Sequence, residues 1–504
     1  VTIDFIGERT SLDYLKAKAN KLKIENYVHF LGKKTQKYIS EHLSNYDLFV
    51  QPSRWEGFGL TVAEAMAARL PVLVSEGQGP AEVTCGDKYG WLFINSNIND
   101  LKEKIEYIIS IHHCYGCSLC ATVCSKKIIS ITLNKNGFYE PTITDTTQCT
   151  DCSLCMEVCA FANKELANND NRPIKSYAAW SKEYAVQRKC SSGGAGYELG
   201  RTLMAQGYEV CGVRYNAEAG RAEHYIASTP EELIPAIGSK YIQSYTLDGF
   251  CAIDRKRKYL VTGTPCQIDS FRRYIRKFRV EDNFVLMDFF CHSVPSMWVW
   301  NKYLRMVEQV TGKVNYASWR NKHTGWHDSW AMGIDGEKTA EKMDWHDSYN
   351  LLIRGKKSFF NSRLSQGDVF YNLFLGDFCC NRACQKNCKY KYDRSSADIR
   401  IGDLWGRTYR KNEDGVSALV AFTEKGNMLI QQMNCELKEH PFEVVAEGQM
   451  KENAHTAYLS SIAWKMLHSP KTYSLTDWKR LIIAEKILQL PKKLVRKIDR
   501  ILSR

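Results

Sequence analysis

Cys114-Tyr-Gly-Cys117-Ser-Leu-Cys120-Ala-Thr-Val-Cys124 and Cys149-Thr-Asp-Cys152-Ser-Leu-Cys155-Met-Glu-Val-Cys159 decide how this chain is read. Both runs follow Cys-x2-Cys-x2-Cys-x3-Cys. In two-cluster iron–sulfur modules with this spacing, three closely spaced thiolates grip one cubane and the fourth reaches across to the other. Cys114, Cys117, Cys120 and Cys159 are therefore expected on one 4Fe-4S cluster, and Cys149, Cys152, Cys155 and Cys124 on a second. The proline that usually follows the fourth cysteine is replaced by Ser125 and Ala160, which removes a turn former but no ligand. The competing reading is a pair of structural zinc sites. Zinc ribbons, however, use two separated Cys-x2-Cys knuckles rather than a duplicated four-cysteine run.

Working outward, 504 residues suggest about three domains. Nineteen cysteines, an odd number in so long a chain, argue against a disulfide framework and for a reducing cytoplasm. No run approaches the ~18 apolar residues that span a bilayer. The chain opens on Val1 inside an expected strand, so no signal peptide is read there and the start is expected to be a truncation. The net charge of +13 is concentrated: residues 479–504 hold nine Lys or Arg against Glu485 and Asp499. No nucleic-acid-binding pattern accompanies it.

Residues 1–110 alternate short apolar runs with amphipathic stretches, the βαβ pattern, with strands expected at 2–6, 27–31, 48–51 and 72–74 and helices at 11–21, 61–69 and 100–110. Gly57 and Gly59 open a helix whose free N–H groups and positive end suit a diphosphate. Glu64 lies within that helix and Glu56 at its mouth. Alone, such a loop reads equally as an ordinary strand–helix turn. With Gly7 upstream and Pro71-Val-Leu-Val-Ser75 and Glu82 downstream, the Glu-x7-Glu stretch resembles the donor half of a family 4 glycosyltransferase of the GT-B fold. The resemblance implies a nucleotide-sugar partner at Glu56 and Glu64. It also implies that the acceptor domain and a basic Arg–Lys pair lie before Val1, so this piece is not expected to transfer sugar.

Residues 111–165 resemble a bacterial ferredoxin, with an expected hairpin around Asn136-Gly137, and the polar residues 166–189 read as a linker. From Cys190 to about Gly448 runs a larger α/β pattern carrying Ser191-Ser192-Gly193-Gly194, Gly238-Ser239-Lys240-Tyr241, Gly263-Thr264-Pro265-Cys266-Gln267, Cys291-His292-Ser293-Val294-Pro295-Ser296 and Gly402-Asp403-Leu404-Trp405-Gly406. Cys266 and Cys291 fall at carboxyl ends of expected strands, where open α/β sheets place ligands. Cys380, Cys384 and Cys388 follow in one loop. Those cysteines and His292 read equally as buried structural residues.

In this order the five blocks resemble the coenzyme F420 hydrogenase/dehydrogenase beta subunit family over roughly residues 112–430. Departures are Ser293 where glycine is usual, Cys190 where serine is expected, and a wider spacing of the last cysteines. The resemblance implies an iron–sulfur flavoprotein moving electrons between 4Fe-4S clusters, FAD and a two-electron acceptor such as coenzyme F420. FAD would sit on Ser191, Ser192, Gly193, Gly194, Lys240, Gly263, Thr264, Pro265 and Gln267, with Cys291 and His292 catalytic. A third cluster is expected on Cys266, Cys291, Cys384 and Cys388, with Cys380 a substitute for one of the last two.

The expected fold class is α/β: a partial Rossmann-like GT-B half-domain (1–110), a small ferredoxin-like α+β module (111–165), a linker (166–189), a larger α/β flavin domain (190–448) and a basic helical tail (449–504). Apolar residues at helical spacing among Lys and Arg let the tail lie on an anionic membrane or pack on its own protein. The expected setting is the cytoplasm, with the tail peripheral to the inner face of the membrane. The expected partner is a redox protein or a small electron carrier, and no nucleic acid. Two other classes stay open: a glycosyltransferase with an accessory electron-transfer module, and a redox-sensing module without turnover. A glycosyltransferase piece beside a redox enzyme points by association to surface polysaccharide synthesis.

Overall fold

The computed structural model describes residues 2–7, 11–68, 70–111, 114–338 and 360–490. Two compact units result, Val1–His113 and Cys114–Arg504. The first holds two small parallel sheets: Ile3–Ile6 beside Val28–Gly32, and Phe49–Gln51, Val72–Ser75 and Trp91–Phe93 side by side. The expected strands and helices are found within two residues of their bounds, whereas the helices Gln36–His42 and Gly79–Val83 and the strand Trp91–Phe93 were not expected.

The second unit is built on a nine-stranded mixed sheet. Its spatial order is Ser244–Tyr245, Arg221–Ala227, Glu209–Asn216, Tyr259–Thr262, Phe284–Phe289, Ile399–Asp403, Ser417–Ala421, Lys175–Ser181 and Cys435–Glu439. The four strands from Glu209–Asn216 to Ile399–Asp403 run parallel, and those beyond alternate. Tyr259, Leu260 and Val261, like Phe284, Val285 and Leu286, are apolar without alternation because helices cover both faces.

One face buries Leu199 and Leu203 of the Ala195–Met204 helix over Val210, Leu260, Val285 and Leu419. The other buries Ile268, Phe271 and Ile275 of the Pro265–Lys277 helix over Cys211, Val261 and Leu286. Leu119, Val123 and Val158, from the two cysteine runs, lie in that same core. The cysteine-rich segment is thus a layer of this unit rather than an appended bead.

The hairpin forms as expected, Ile129–Leu133 against Tyr139–Ile143, turning through Gly137 at φ +77°. Two expectations need correction. Residues 166–189, read as a linker, contain the buried strand Lys175–Ser181 and the helix Tyr184–Lys189. The polar run around Asn168 and Pro173 is only the turn before that strand, whose small Ala178 and Ala179 gave little apolar signal. The segment from 449 on is no detached tail. Its helices Ser460–His468 and Leu475–Leu488 bury Ala463, Met466, Trp478, Leu481 and Ile482 against Trp300 and Phe370. Ile483, Ile487, Leu488 and Leu490 stay exposed. The Leu494–Leu502 part of the expected stripe lies outside the described residues.

Candidate redox site

Each run turns through a left-handed serine, Ser118 or Ser153, into a short helix that carries its third cysteine. Burial holds the Cys114 thiol well above its usual range, and neighbouring Cys117, Cys120 and Cys159 push the same way. Burial lifts Cys117 to about 11, Cys159 adds to the rise, and the Ser270 hydroxyl pulls it back. Cys155, raised by burial, has Cys152 and Cys124 as its sulfur neighbours. Cys159 thus neighbours Cys114 and Cys117, and Cys124 neighbours Cys155. Cys149 and Cys152 are exposed, whereas the set around Cys114 is half-buried.

Backbone groups point at these sulfurs. Gly116 N–H donates to Cys114 Sγ at 3.1 Å and Ala162 N–H to Cys159 Sγ at 3.4 Å. Gly116 at φ +69° also brings its Cα against Tyr139 O and Gln243 Nε2, where no side chain fits. Among the described residues no three ligating side chains converge on one ion-sized point. A cubane asks for something else: each of its irons takes one thiolate, so the sulfurs spread around the cluster. The all-thiol donor sets with their N–H···S contacts fit that demand.

A third set of thiols lies next to the first. Burial, then Cys384 and Cys291, hold Cys266 well above its usual range, with Cys117 contributing too. Cys384 is raised by burial and by Cys291 and Cys388. Cys291 is pushed to about 11 by burial and Cys388, against the pull of Lys391. Cys380 is buried, with its sulfur 3.1 Å from Ser293 Oγ.

The expected substitution of serine for glycine at 293 thus places a hydroxyl against a thiol. Tyr115 stands between the first and third sets, its hydroxyl donating to Asn387 O at 2.6 Å. Asn381 Nδ2 donates to Cys114 O at 3.1 Å. Tyr115, Ala160, Ala383 and Tyr390 form a dry core against which Cys266 and Cys388 pack.

The loop that carries Cys388 is clamped by Arg400, which is fully buried. Arg400 donates to both carboxylate oxygens of Asp288 at 2.7 Å. It also donates to the carbonyls of Tyr390, Tyr392 and Arg394. Lys391 donates to Cys291 O at 2.8 Å and His292 O at 2.6 Å. His292 itself faces Asp377, Nε2 to Oδ1 at 2.9 Å. The ionised carboxylate can only accept, so Nε2 carries a proton and the ring is held in orientation.

The expected flavin residues divide into two groups. Ser191 Oγ accepts from Ser239 N–H at 3.0 Å, and Ser192 Oγ donates to Val416 O at 2.7 Å. Gly193 owes its identity to the sheet: a Cβ there would meet Ala179 O at 2.1 Å and Ser417 N at 2.7 Å. Gly194, at φ +90°, caps the Ala195–Met204 helix.

Lys240 is sequestered, donating to Pro235 O and Ile237 O, and burial pulls its pKa down to about 7. Lys240 lines a shallow open cleft together with Lys189, Gly238, Ser239, Trp319 and Arg320. Trp319 Nε1 is buried there without a partner. Arg320 makes a two-oxygen salt bridge to Asp403 while stacked between Trp330 and Trp405.

The second group, Gly263, Thr264, Pro265 and Gln267, turns toward the third thiol set instead. Thr264 caps the Pro265–Lys277 helix in a capping box with Gln267, and its Oγ1 lies 3.2 Å from Cys266 Sγ. Gly263 N–H donates to Met287 O, and Gly196, in the helix that follows the Ser191–Gly194 loop, lies near the Met287 side chain.

Sequence reasoning missed Tyr115, Ser270, Asp288, Arg320, Asp377 and Arg400. Tyr115 stood inside the first cysteine run, but only its cysteines were read as functional.

In the first unit, Glu56 accepts from Gln51 Nε2 at 3.1 Å, and its backbone N–H donates to Gln78 Oε1. Glu64 lies inside the Leu60–Ala67 helix that Gly59 opens at φ +85°. Gly79 lets the loop close down, since a Cβ there would meet Gly57 O at 2.1 Å.

Comparisons with known proteins agree with this division. The family model described as glycosyl transferases group 1 matches residues 1–113. An uncharacterized glycosyltransferase of Methanocaldococcus jannaschii is 35% identical over 96 residues, 18% of this chain and 27% of that protein. The lipopolysaccharide core biosynthesis mannosyltransferase LpsB of Rhizobium meliloti is 38% identical over 93 residues, 18% of this chain and 25% of its own length. The chain thus spans about a quarter of each of these relatives.

Among solved structures, the F420-reducing [NiFe] hydrogenase complex from Methanosarcina barkeri aligns at 15% identity and TM-score 0.35. That alignment covers 64% of this chain and 94% of that one. The chain joins a glycosyl transferase group 1 segment to a segment, residues 256–443, that matches the C terminus of coenzyme F420 hydrogenase/dehydrogenase beta subunits.

Proposed function

We propose that the second unit is an iron–sulfur flavoprotein oxidoreductase. The observation that carries this reading is the contiguity of three thiol sets: Cys149, Cys152, Cys155 and Cys124 at the surface, then Cys114, Cys117, Cys120 and Cys159, then Cys266, Cys291, Cys384 and Cys388. Bound clusters would carry electrons singly, and a bound FAD would exchange them in pairs with coenzyme F420 or another two-electron acceptor. The chain's own residues do the rest. Exposed Cys149 and Cys152 leave the outer set open to a redox partner protein or a small carrier. Tyr115 and Tyr390 keep water from the inner sets. His292, oriented by Asp377, offers Nδ1 as a proton acceptor beside Cys291. The Ser191–Gly194 loop and the cleft of Lys240 and Arg320 would seat an anionic, flat cofactor.

Anaerobic purification with iron, sulfide and flavin quantification tests this reading. Iron and sulfide for three cubanes plus bound flavin are expected; zinc in place of iron, or a protein without flavin, would overturn it. For the first unit, the carboxylates of Glu56 and Glu64 beside the Gly59 helix mouth favour binding of a nucleotide-sugar, with a role in surface polysaccharide synthesis. The exposed Ile483, Ile487 and Leu488 among Lys479, Arg480 and Lys486 favour contact of the last described helix with an anionic membrane. No described helix is long and apolar enough to cross one.

A further inference from the structure

The Pro265–Lys277 helix touches two thiol sets at once. Cys266 stands in its first turn, and Ser270, one turn later, is on the same face. Ser270 is fully buried. Its Oγ lies 3.2 Å from Cys117 Sγ and accepts a 3.0 Å hydrogen bond from the N–H of Ala160, the residue after Cys159. A mid-helix serine ordinarily donates back to the carbonyl four residues earlier. None of the hydrogen bonds among the described residues sends the Ser270 proton there. As a free thiol Cys117 donates across this contact; as an iron-bound thiolate it would have no proton to give, and the Ser270 hydroxyl, with a lone pair committed to Ala160 N–H, would be the donor.

We propose that Ser270 is a positioning residue that sets the reduction potential of the inner ferredoxin-type cluster through an Oγ–H···Sγ bond to Cys117. The proposal rests on the reading of Cys114, Cys117, Cys120 and Cys159 as one cluster's ligands. The physical reason is charge. Reduction adds one electron, and that negative charge spreads onto the thiolates. A hydrogen bond to a charged acceptor is stronger than one to a neutral acceptor, so the hydroxyl stabilises the reduced state more than the oxidised one.

The need is specific to this set. Half-buried thiolates surrounded by Leu119, Val123 and Val158 disfavour added charge, whereas exposed Cys149 and Cys152 have water to share it. Without a donor at Cys117 the inner cluster would be the harder of the two to reduce, and electrons entering at the surface would stop there. Ser270 also reads both halves of the crossed ligand set, holding Cys117 through sulfur and Cys159 through the adjoining amide. The second hydroxyl of this helix, Thr264 Oγ1, makes the matching approach to Cys266.

The test is an EPR-monitored redox titration of the anaerobically purified full chain. In Ser270→Ala the inner cluster is expected to become harder to reduce, by about tenfold in its reduced-to-oxidised ratio at fixed potential, or ~59 mV for one electron. The outer cluster should not move. Ser270→Thr, which keeps the hydroxyl, should restore the wild-type value. Iron content separates the two layers of the argument. If wild type holds no iron, the cluster reading itself fails. If Ser270→Ala keeps its iron and both potentials match wild type, Ser270 does not tune the cluster and the proposal is overturned. It is overturned equally if Ser270→Thr behaves as Ser270→Ala does.

Discussion

Replacing Arg400 by Met tests how the third thiol set is held. Arg400 has no exposed surface, and its guanidinium lies between the rings of Phe290 and Phe422. The substitution removes both bonds to Asp288 and three to backbone carbonyls. Asp288, itself buried, keeps the Ser395 hydroxyl as a donor. Breaking one side of a buried ion pair costs about 3–5 kcal/mol, because the remaining charge stays uncompensated. Set against a whole stability of roughly 5–15 kcal/mol, that is a large share.

The carbonyls set free belong to Tyr390, Tyr392 and Arg394, directly after Cys388. Iron should therefore be lost from the third set first. The assay is urea unfolding of Arg400→Met beside an Asp288→Leu/Arg400→Met double variant, with iron counted in each. The double variant should recover more than half of the lost stability, since neither charge is then stranded. A single-variant loss below about 1 kcal/mol would refute the reasoning, as would equal loss of iron from all three sets.

Other outcomes follow from the same geometry. Cys124→Ser should abolish the EPR signal of the outer cluster and spare the inner one; the reverse result would break the crossed assignment. His224 is buried, with Nε2–H donating to Thr262 O at 3.0 Å, and burial pulls its pKa down to about 4. The folded chain then binds fewer protons than the unfolded one between about pH 6.5 and pH 4. Stability should fall as pH drops through that window, by on the order of 3 kcal/mol in all, and His224→Gln should show a shallower slope in urea midpoints. Ile483→Asp/Ile487→Asp should abolish flotation with phosphatidylserine vesicles; unchanged flotation would place membrane contact elsewhere.

Much of the frame was legible because local signals agreed with the fold. Each duplicated run folds alike, turning through a serine into a short helix that carries its third cysteine. Lys175–Ser181 escaped notice because a strand with Ala at its centre carries no apolar run, and its burial comes from neighbours late in the chain. Gly193 was read as a glycine of ligand approach, and its own sheet also excludes a side chain there, a demand that only tertiary contacts express. Ser270, Asp288 and Arg400 were invisible for the opposite reason. Their partners stand far away in sequence, and polar residues inside a helix or strand give no periodic signal.

The position of Lys175–Ser181 in the sheet has a consequence for synthesis of the protein. Both of its neighbours, Ser417–Ala421 and Cys435–Glu439, lie more than two hundred residues downstream. At roughly 5–20 residues per second, the ribosome leaves that strand, and the two cysteine runs before it, without their sheet for ~10–50 seconds. For that interval the sulfurs stand open to solvent and to any partner that reaches them. Closure of the last strands afterwards seals the inner sets away from both.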